Sequence, residues 1–68
     1  MKIGKYEVVA HVDGTHEGGF RASLTRSWME GGEKKELLHT IDKVFGTMEL
    51  AHDRAYEHAR IQVDEGVW

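Results

Sequence analysis

Five histidines are the side chains of this sequence best suited to chemistry, because imidazole can transfer protons and bind metal ions near neutral pH. Their spacing supports neither role. His52 and His58 lie six residues apart, which separates them by about 240° around a helix. His11 and His16 fall on a predicted strand and a predicted loop, and no HExxH motif or cysteine accompanies them. His39 is expected to face the helix as a partly buried, hydrogen-bonded residue. The sequence therefore predicts no metal site and no cofactor.

The serine and glycine patterns do not indicate an enzyme either. Ser23, Ser27 and His11 share one face of the predicted sheet, but the strand-to-helix turn that exposes a nucleophilic serine is missing. The glycines between Gly14 and Gly19 look like a phosphate loop, yet they join two strands and no Lys-Ser or Lys-Thr pair follows them. Without cysteine the chain has no thiol nucleophile. We therefore expect a protein that is not an enzyme.

Length and composition indicate one small domain that spans residues 1–68. With 40% hydrophobic and 31% charged residues, the chain resembles folded soluble proteins rather than disordered segments. The longest purely aliphatic run, Val8 to Ala10, is far shorter than the roughly 20 residues that a membrane-spanning helix needs. Because residues 1–5 lead into a strand and not into an apolar signal core, we expect a cytoplasmic protein without membrane association.

Alternating apolar residues predict a meander of three β-strands. Tyr6 to Val12 and Phe20 to Met29 place apolar side chains at alternate positions, with a seven-residue loop between them. Gly31-Gly32 suits the two-residue turn of a hairpin that leads into the third strand. The helix-facing side of this meander is expected to carry Tyr6, Val8, Ala10, Val12, Phe20, Ala22, Leu24, Leu37 and Ile41.

The turns also predict how the strands pair. The Gly31-Gly32 turn places Arg21 opposite Asp42, as an ion pair across the second and third strands. Across the first loop, the predicted register places Val12 opposite Phe20.

The last third of the sequence predicts one helix, from Met48 to about Glu65. Thr47 is the expected N-cap, and Gly66 stands where a left-handed C-terminal cap occurs. At about 100° per residue, one stripe of this helix contains three alanines, which allow a close approach to the sheet. The stripe consists of Met48, Ala51, Ala55, Ala59 and Val63. The expected fold class is α+β: a three-stranded antiparallel meander with one C-terminal helix packed on one face, in the order β-β-β-α.

In so small a domain, the best candidates for functional residues are those that the predicted core does not contain. On the open face, the side of the sheet away from the helix, Val9 and Leu38 are apolar where water is expected. On the far side of the helix, Leu50 and Ile61 lie near one line. The alternative is an ordinary solvated face, with residues 67–68 folded over the helix pair. The candidate partner-binding residues are Val9, His11, Arg21, Thr25, Leu38, Leu50 and Ile61.

Charge disfavours nucleic acid as the partner. The chain carries 9 Lys and Arg against 12 Asp and Glu, a net charge of −3, and its isoelectric point is about 5.9. The excess negative charge follows Val44, on the predicted helix, so the sheet half is neutral. Proteins that bind DNA usually present a basic surface. Nucleic acid therefore stays an alternative only through the open face around Arg21.

Two segments carry a resemblance to known proteins. Residues 17–24 contain a Gly-Gly-aromatic-x-Ala-Ser strand, and residues 47–55 contain a Thr-x-x-x-Ala-x-x-x-Ala helix. Together they resemble small proteobacterial proteins of unknown function and, more weakly, HicB-like antitoxin domains. The chain departs from the HicB pattern at residues 25–32, where that family has a stretch containing Pro and Gly, and it contains no appended DNA-binding segment. The resemblance therefore transfers no toxin-neutralising residue to this chain.

These observations predict a small non-enzymatic cytoplasmic interaction or regulatory module that binds another macromolecule or forms a homodimer. The alternative is a nucleic-acid-binding or antitoxin-like module that uses the open face.

Overall fold

The computed structural model describes residues 1–68 and consists of one antiparallel sheet and one helix. The elements are β1 (Lys2–Ile3), β2 (Tyr6–Thr15), β3 (Gly19–Glu30), β4 (Glu33–Phe45) and α1 (Met48–Asp64). The strands lie in the order β1-β2-β3-β4. The predicted α+β class and the C-terminal helix are confirmed, whereas the prediction of three strands misses β1. This strand has only two residues, too few for an alternating pattern to appear in the sequence.

The second hairpin confirms the predicted turn and corrects part of the predicted register. Gly31 and Gly32 both have positive φ, of 58° and 80°, as a two-residue hairpin turn requires. Glu30 consequently lies opposite Glu33. The register then shifts next to Arg21, which lies opposite Val44 and not opposite Asp42. The predicted ion pair is therefore wrong, because β4 contains two extra residues at this point.

The first hairpin is tighter than predicted. β2 continues to Thr15 and β3 begins at Gly19, so that three residues separate the strands. Val12 lies opposite Ala22 and not opposite Phe20, a displacement of two residues. Because side chains alternate with a period of two, this displacement leaves every predicted face unchanged.

The helix begins and ends as predicted, to within one residue. The Thr47 hydroxyl accepts a hydrogen bond from the Leu50 N–H at 3.0 Å, and Gly66 adopts a positive φ of 72° after the last turn. Ala51, Ala55 and Ala59 are completely buried against the sheet.

Nine residues form the core between the sheet and α1: Tyr6, Val8, Phe20, Ala22, Leu24, Phe45, Ala51, Ala55 and Ala59. The predictions of Met48 and Leu37 as core residues are wrong. Met48 lies beside Val12, at the margin of the sheet, and stays exposed. Leu37 is 47% exposed, because α1 packs mainly on β2 and β3. At 1.5 Å and 3.4 Å per residue, α1 is about 25 Å long and β4 about 44 Å, so the helix covers only part of the sheet.

Candidate interaction surface

Two uncharged rows of side chains cross the middle of the open face. Thr25 on β3 lies opposite both Val9 on β2 and Leu38 on β4. One step along the strands, Ser23 lies opposite both His11 and Thr40. We call these six residues the central rows: Val9, Thr25, Leu38, His11, Ser23 and Thr40. They bring four of the sequence-predicted site residues together in one continuous patch, namely Val9, His11, Thr25 and Leu38.

The apolar members of this surface are well exposed. Val9 is 47% exposed and Leu38 is 68% exposed. Met29 and Val44 are also exposed, and alternation along the strands places both on the open face. Val44 was not recognised from the sequence, because the predicted register placed Asp42 opposite Arg21. Exposed apolar side chains on a sheet face are typical of binding surfaces when they occur together.

Hydrogen bonds order the polar side chains of the open face. His11 Nε2 lies 3.1 Å from the Thr25 hydroxyl oxygen, so the imidazole is held against the sheet. The Ser27 hydroxyl donates to the Glu7 carbonyl at 3.4 Å. Nowhere in the chain do three His, Asp or Glu side chains come together as a metal site would require. His11 therefore lies exposed on the open face in contact with Thr25.

Charged residues flank the central rows at both ends. Glu7 and Glu36 lie opposite Ser27 at one end, and Arg21 lies opposite Asp13 at the other. Arg21 thus belongs to the rim of the surface and not to its centre. An uncharged centre with a charged rim is the usual composition of a protein–protein interface.

Leu50 and Ile61, the two candidates on α1, do not join this surface. Both are about two-fifths exposed, at 40% and 43%. Ile61 borders a shallow groove between α1 and β4, and the sheet separates it from the open face. Trp68 does not cover the helix pair but packs over Arg26 and His39, while Val67 remains exposed.

The helix side of the sheet also contains a buried arginine that is not among the sequence-predicted residues. Arg26 is only 9% exposed, and its guanidinium carbon lies 4.9, 5.0 and 4.4 Å from the ring centroids of Tyr6, Trp28 and Trp68. No carboxylate pairs with it, and its Nε has no hydrogen-bond partner. Cation–π contacts therefore hold this charge. The alternation along β3 predicts that Arg26 faces the helix, because Leu24, Arg26 and Trp28 fall on the same side of the strand.

His39 adjoins this arginine. Its ring stacks on Trp68, with centroids 4.6 Å apart, and its Nε2 is buried without a hydrogen-bond partner. The prediction that His39 faces the helix side and is partly buried is confirmed, and the predicted hydrogen bond is absent at Nε2. Burial, followed by the positive charges of Arg26 and His58, holds the pKa of His39 below its ordinary value of 6.5.

Comparison with protein-family models, with curated proteins and with solved structures found no match. The resemblance to HicB-like domains therefore stays a prediction. The chain contains no helix with the length and apolar character of a membrane span.

Proposed function

We propose that this chain is a small non-enzymatic module of the cytoplasm that binds another protein through the open face of its sheet. The observation that carries the proposal is the pair of uncharged central rows, in which Val9 and Leu38 are exposed beside serine and threonine hydroxyls. Full burial of such a side chain contributes about 1.5–3 kcal/mol, and a partner would gain the share that is still exposed, which is 47% for Val9 and 68% for Leu38.

The hydroxyls support a protein partner as well. Ser23, Thr25 and Thr40 stand beside the aliphatic side chains, so a partner's backbone or side-chain polar groups can form hydrogen bonds across the same surface. A regular sheet also holds these groups in fixed positions, which lowers the entropic cost of binding.

The charges of the open face favour protein over nucleic acid. Arg21 is accompanied by Asp13, and the other end of the central rows carries Glu7 and Glu36. A phosphate backbone is bound by an excess of Lys and Arg. With one arginine against three carboxylates, the rim offers no such excess, and it suits a protein surface with charges of both signs.

Site-specific photo-crosslinking in the cells that produce the protein tests this proposal. A photoreactive amino acid in place of Val9 is expected to form a discrete adduct with one protein. The same amino acid in place of Glu57, an exposed position on α1, is expected to form none. Thr25→Glu, combined with the probe at position 9, is expected to abolish the adduct because it buries a charge in the centre of the interface.

Three outcomes would contradict the proposal. They are no adduct at position 9, equal adducts at positions 9 and 57, and an adduct that nuclease treatment removes. The last result would favour the nucleic-acid-binding alternative.

A further inference from the structure

The two long edges of the sheet differ in how their backbone groups are used. On the β2 edge, the Val8 N–H donates to the Met1 carbonyl at 2.8 Å. The Ala10 N–H donates to the Tyr56 hydroxyl at 3.2 Å, and the Gly14 N–H donates to the Asp13 carboxylate at 2.9 Å. These bonds, together with β1, leave little of the β2 edge available to another strand.

The β4 edge has no such cover. β4 extends over 13 residues and pairs with β3 on one side only. Apart from the sheet ladder, no backbone group of Glu33–Phe45 hydrogen-bonds within the chain. Residues 30 and 33 flank a two-residue turn and hydrogen-bond to each other, so the N–H and C=O groups of Lys34, Glu36, Leu38 and Thr40 point away from β3. Such an edge is a template for one more strand.

We propose that β4 pairs with β4 of a second copy of this chain, antiparallel and about a twofold axis at Leu38. The charges of β4 select this arrangement. With Leu38 on the axis, Glu33 lies opposite Lys43 of the second copy, and Lys34 lies opposite Asp42. Because of the twofold symmetry, each of these two charge pairs occurs twice in the dimer. The two extra residues of β4, Asp42 and Lys43, fall at the ends of the paired segment.

The neighbouring arrangements lack this complementarity. In an antiparallel pair, residues directly opposite each other point to the same face. Two identical strands related by a twofold axis meet this condition only if the axis passes through one residue, which then lies opposite its own equivalent. A centre at His39 places Lys35 opposite Lys43 and Glu36 opposite Asp42, both pairs of like charge. A centre at Leu37 or at Thr40 produces no pair of opposite charge. Like charges directly opposite each other destabilise a strand pair.

The arrangement also accounts for two exposed leucines. Leu37, on the helix side of β4, comes to lie opposite His39 of the second copy. Leu38, on the open face, meets its own equivalent. The row formed by Val9, Thr25 and Leu38 then continues into the same row of the second copy, in a sheet of eight strands. The inference does not depend on the proposed function, since it uses the edge of the sheet and not its face.

Variants with reversed charges on β4 test the proposed pairing of β4 with β4. Sedimentation equilibrium of the full chain over a range of concentrations is expected to show a monomer–dimer equilibrium. Lys34→Glu and Asp42→Lys are each expected to raise the dimer Kd about tenfold, because two attractive cross-strand pairs become repulsive. An equimolar mixture of the two variants is expected to recover the wild-type Kd, because every altered pair then joins opposite charges. Lys35→Glu is the matched control: it makes the same charge change opposite Ile41 of the second copy. It also removes the ion pair of Lys35 with Glu33 within the chain, and it is expected to raise the Kd far less than Lys34→Glu does.

Far-UV circular dichroism establishes that each variant is folded. Amide hydrogen exchange provides a second measurement on the wild type, in which the Leu38 and Thr40 N–H groups are expected to exchange more slowly as concentration rises. The pairing is excluded if the wild type stays monomeric at millimolar concentration. It is also excluded if Lys34→Glu and Lys35→Glu behave alike, or if the mixture does not restore association. If the protein is a monomer but still forms the adduct at position 9, the pairing is excluded and the proposed function is retained. If it is a dimer but forms no adduct, the proposed function is excluded and the pairing is retained.

Discussion

At the scale of single residues, the most unusual feature is a buried charge without a counterion. Arg26 lies among three aromatic rings and has no carboxylate partner. A desolvated cation–π contact contributes about 2 kcal/mol, which offsets part of the cost of removing the guanidinium from water. Burial of its neighbour His39, and after it this positive charge, opposes protonation of the imidazole.

The pH dependence of folding is expected to report this effect. Because the pKa of His39 is lower in the folded chain than its ordinary value of 6.5, the unfolded chain binds the proton more readily. The stability contributed by neutral His39 is therefore complete above about pH 6.5 and falls as the pH drops below that value. Urea denaturation at pH 7.5 and pH 5.5 is expected to show a smaller stability difference for His39→Gln than for the wild type. An equal difference in the two proteins would show that His39 does not titrate in this way.

At the scale of elements, the stripe of alanines sets the distance between α1 and the sheet. Ala51, Ala55 and Ala59 are completely buried, and their single methyl groups leave room for Phe20 and Leu24 beneath them. A larger side chain in the stripe has no space unless the helix moves away from the sheet.

Ala55→Leu is accordingly expected to lower the free energy of unfolding by about 1–3 kcal/mol, as overpacking of a close-packed core does. Arg60→Leu, at an exposed position of the same helix, introduces the same side chain outside the core and is expected to change stability by less than about 0.5 kcal/mol. Chemical denaturation of both variants measures the difference. Similar values would mean that α1 does not lie against the sheet through Ala55.

Local chemistry explains which elements the sequence could predict. Thr47, the alanine stripe and Gly66 all lie in the segment that forms α1, and Gly31-Gly32 forms the turn of its own hairpin, so both elements could be predicted from neighbouring residues. Features that depend on distant partners could not be predicted in the same way. The shift beside Arg21 arises because β4 must bring Phe45 opposite Phe20 in the core, a requirement that appears only once the helix and sheet are packed together. The open face was predictable because alternation survives displacements of two residues. Val44 was missed because the predicted pairing ended at Asp42 opposite Arg21 and left Val44 beyond it.

At the scale of the whole molecule, the chain is a two-layer structure with one covered edge and one uncovered edge. Tyr56 is central to this asymmetry, because its hydroxyl reaches from α1 to the Ala10 N–H on β2. If both edges were open, copies could add to either side and assembly would not stop at two.

Tyr56→Phe is expected to remove this protection while keeping the aromatic ring. The lost hydrogen bond is expected to cost about 1 kcal/mol of stability. Light scattering at high concentration is expected to detect species larger than a dimer for Tyr56→Phe and none for the wild type. If Tyr56→Phe and the wild type scatter light equally, the Tyr56 hydroxyl does not prevent further strands from pairing with the β2 edge.

The difference in length between α1 and β4 has a mechanical consequence. Around Gly31 and Gly32 the hairpin of β3 and β4 extends beyond the helix, so that this end of the protein is one layer thick while the other end is two layers thick. A single layer resists twisting far less than a packed pair of layers. The hairpin end can therefore change its twist when it contacts another molecule, while the end that α1 covers keeps its shape.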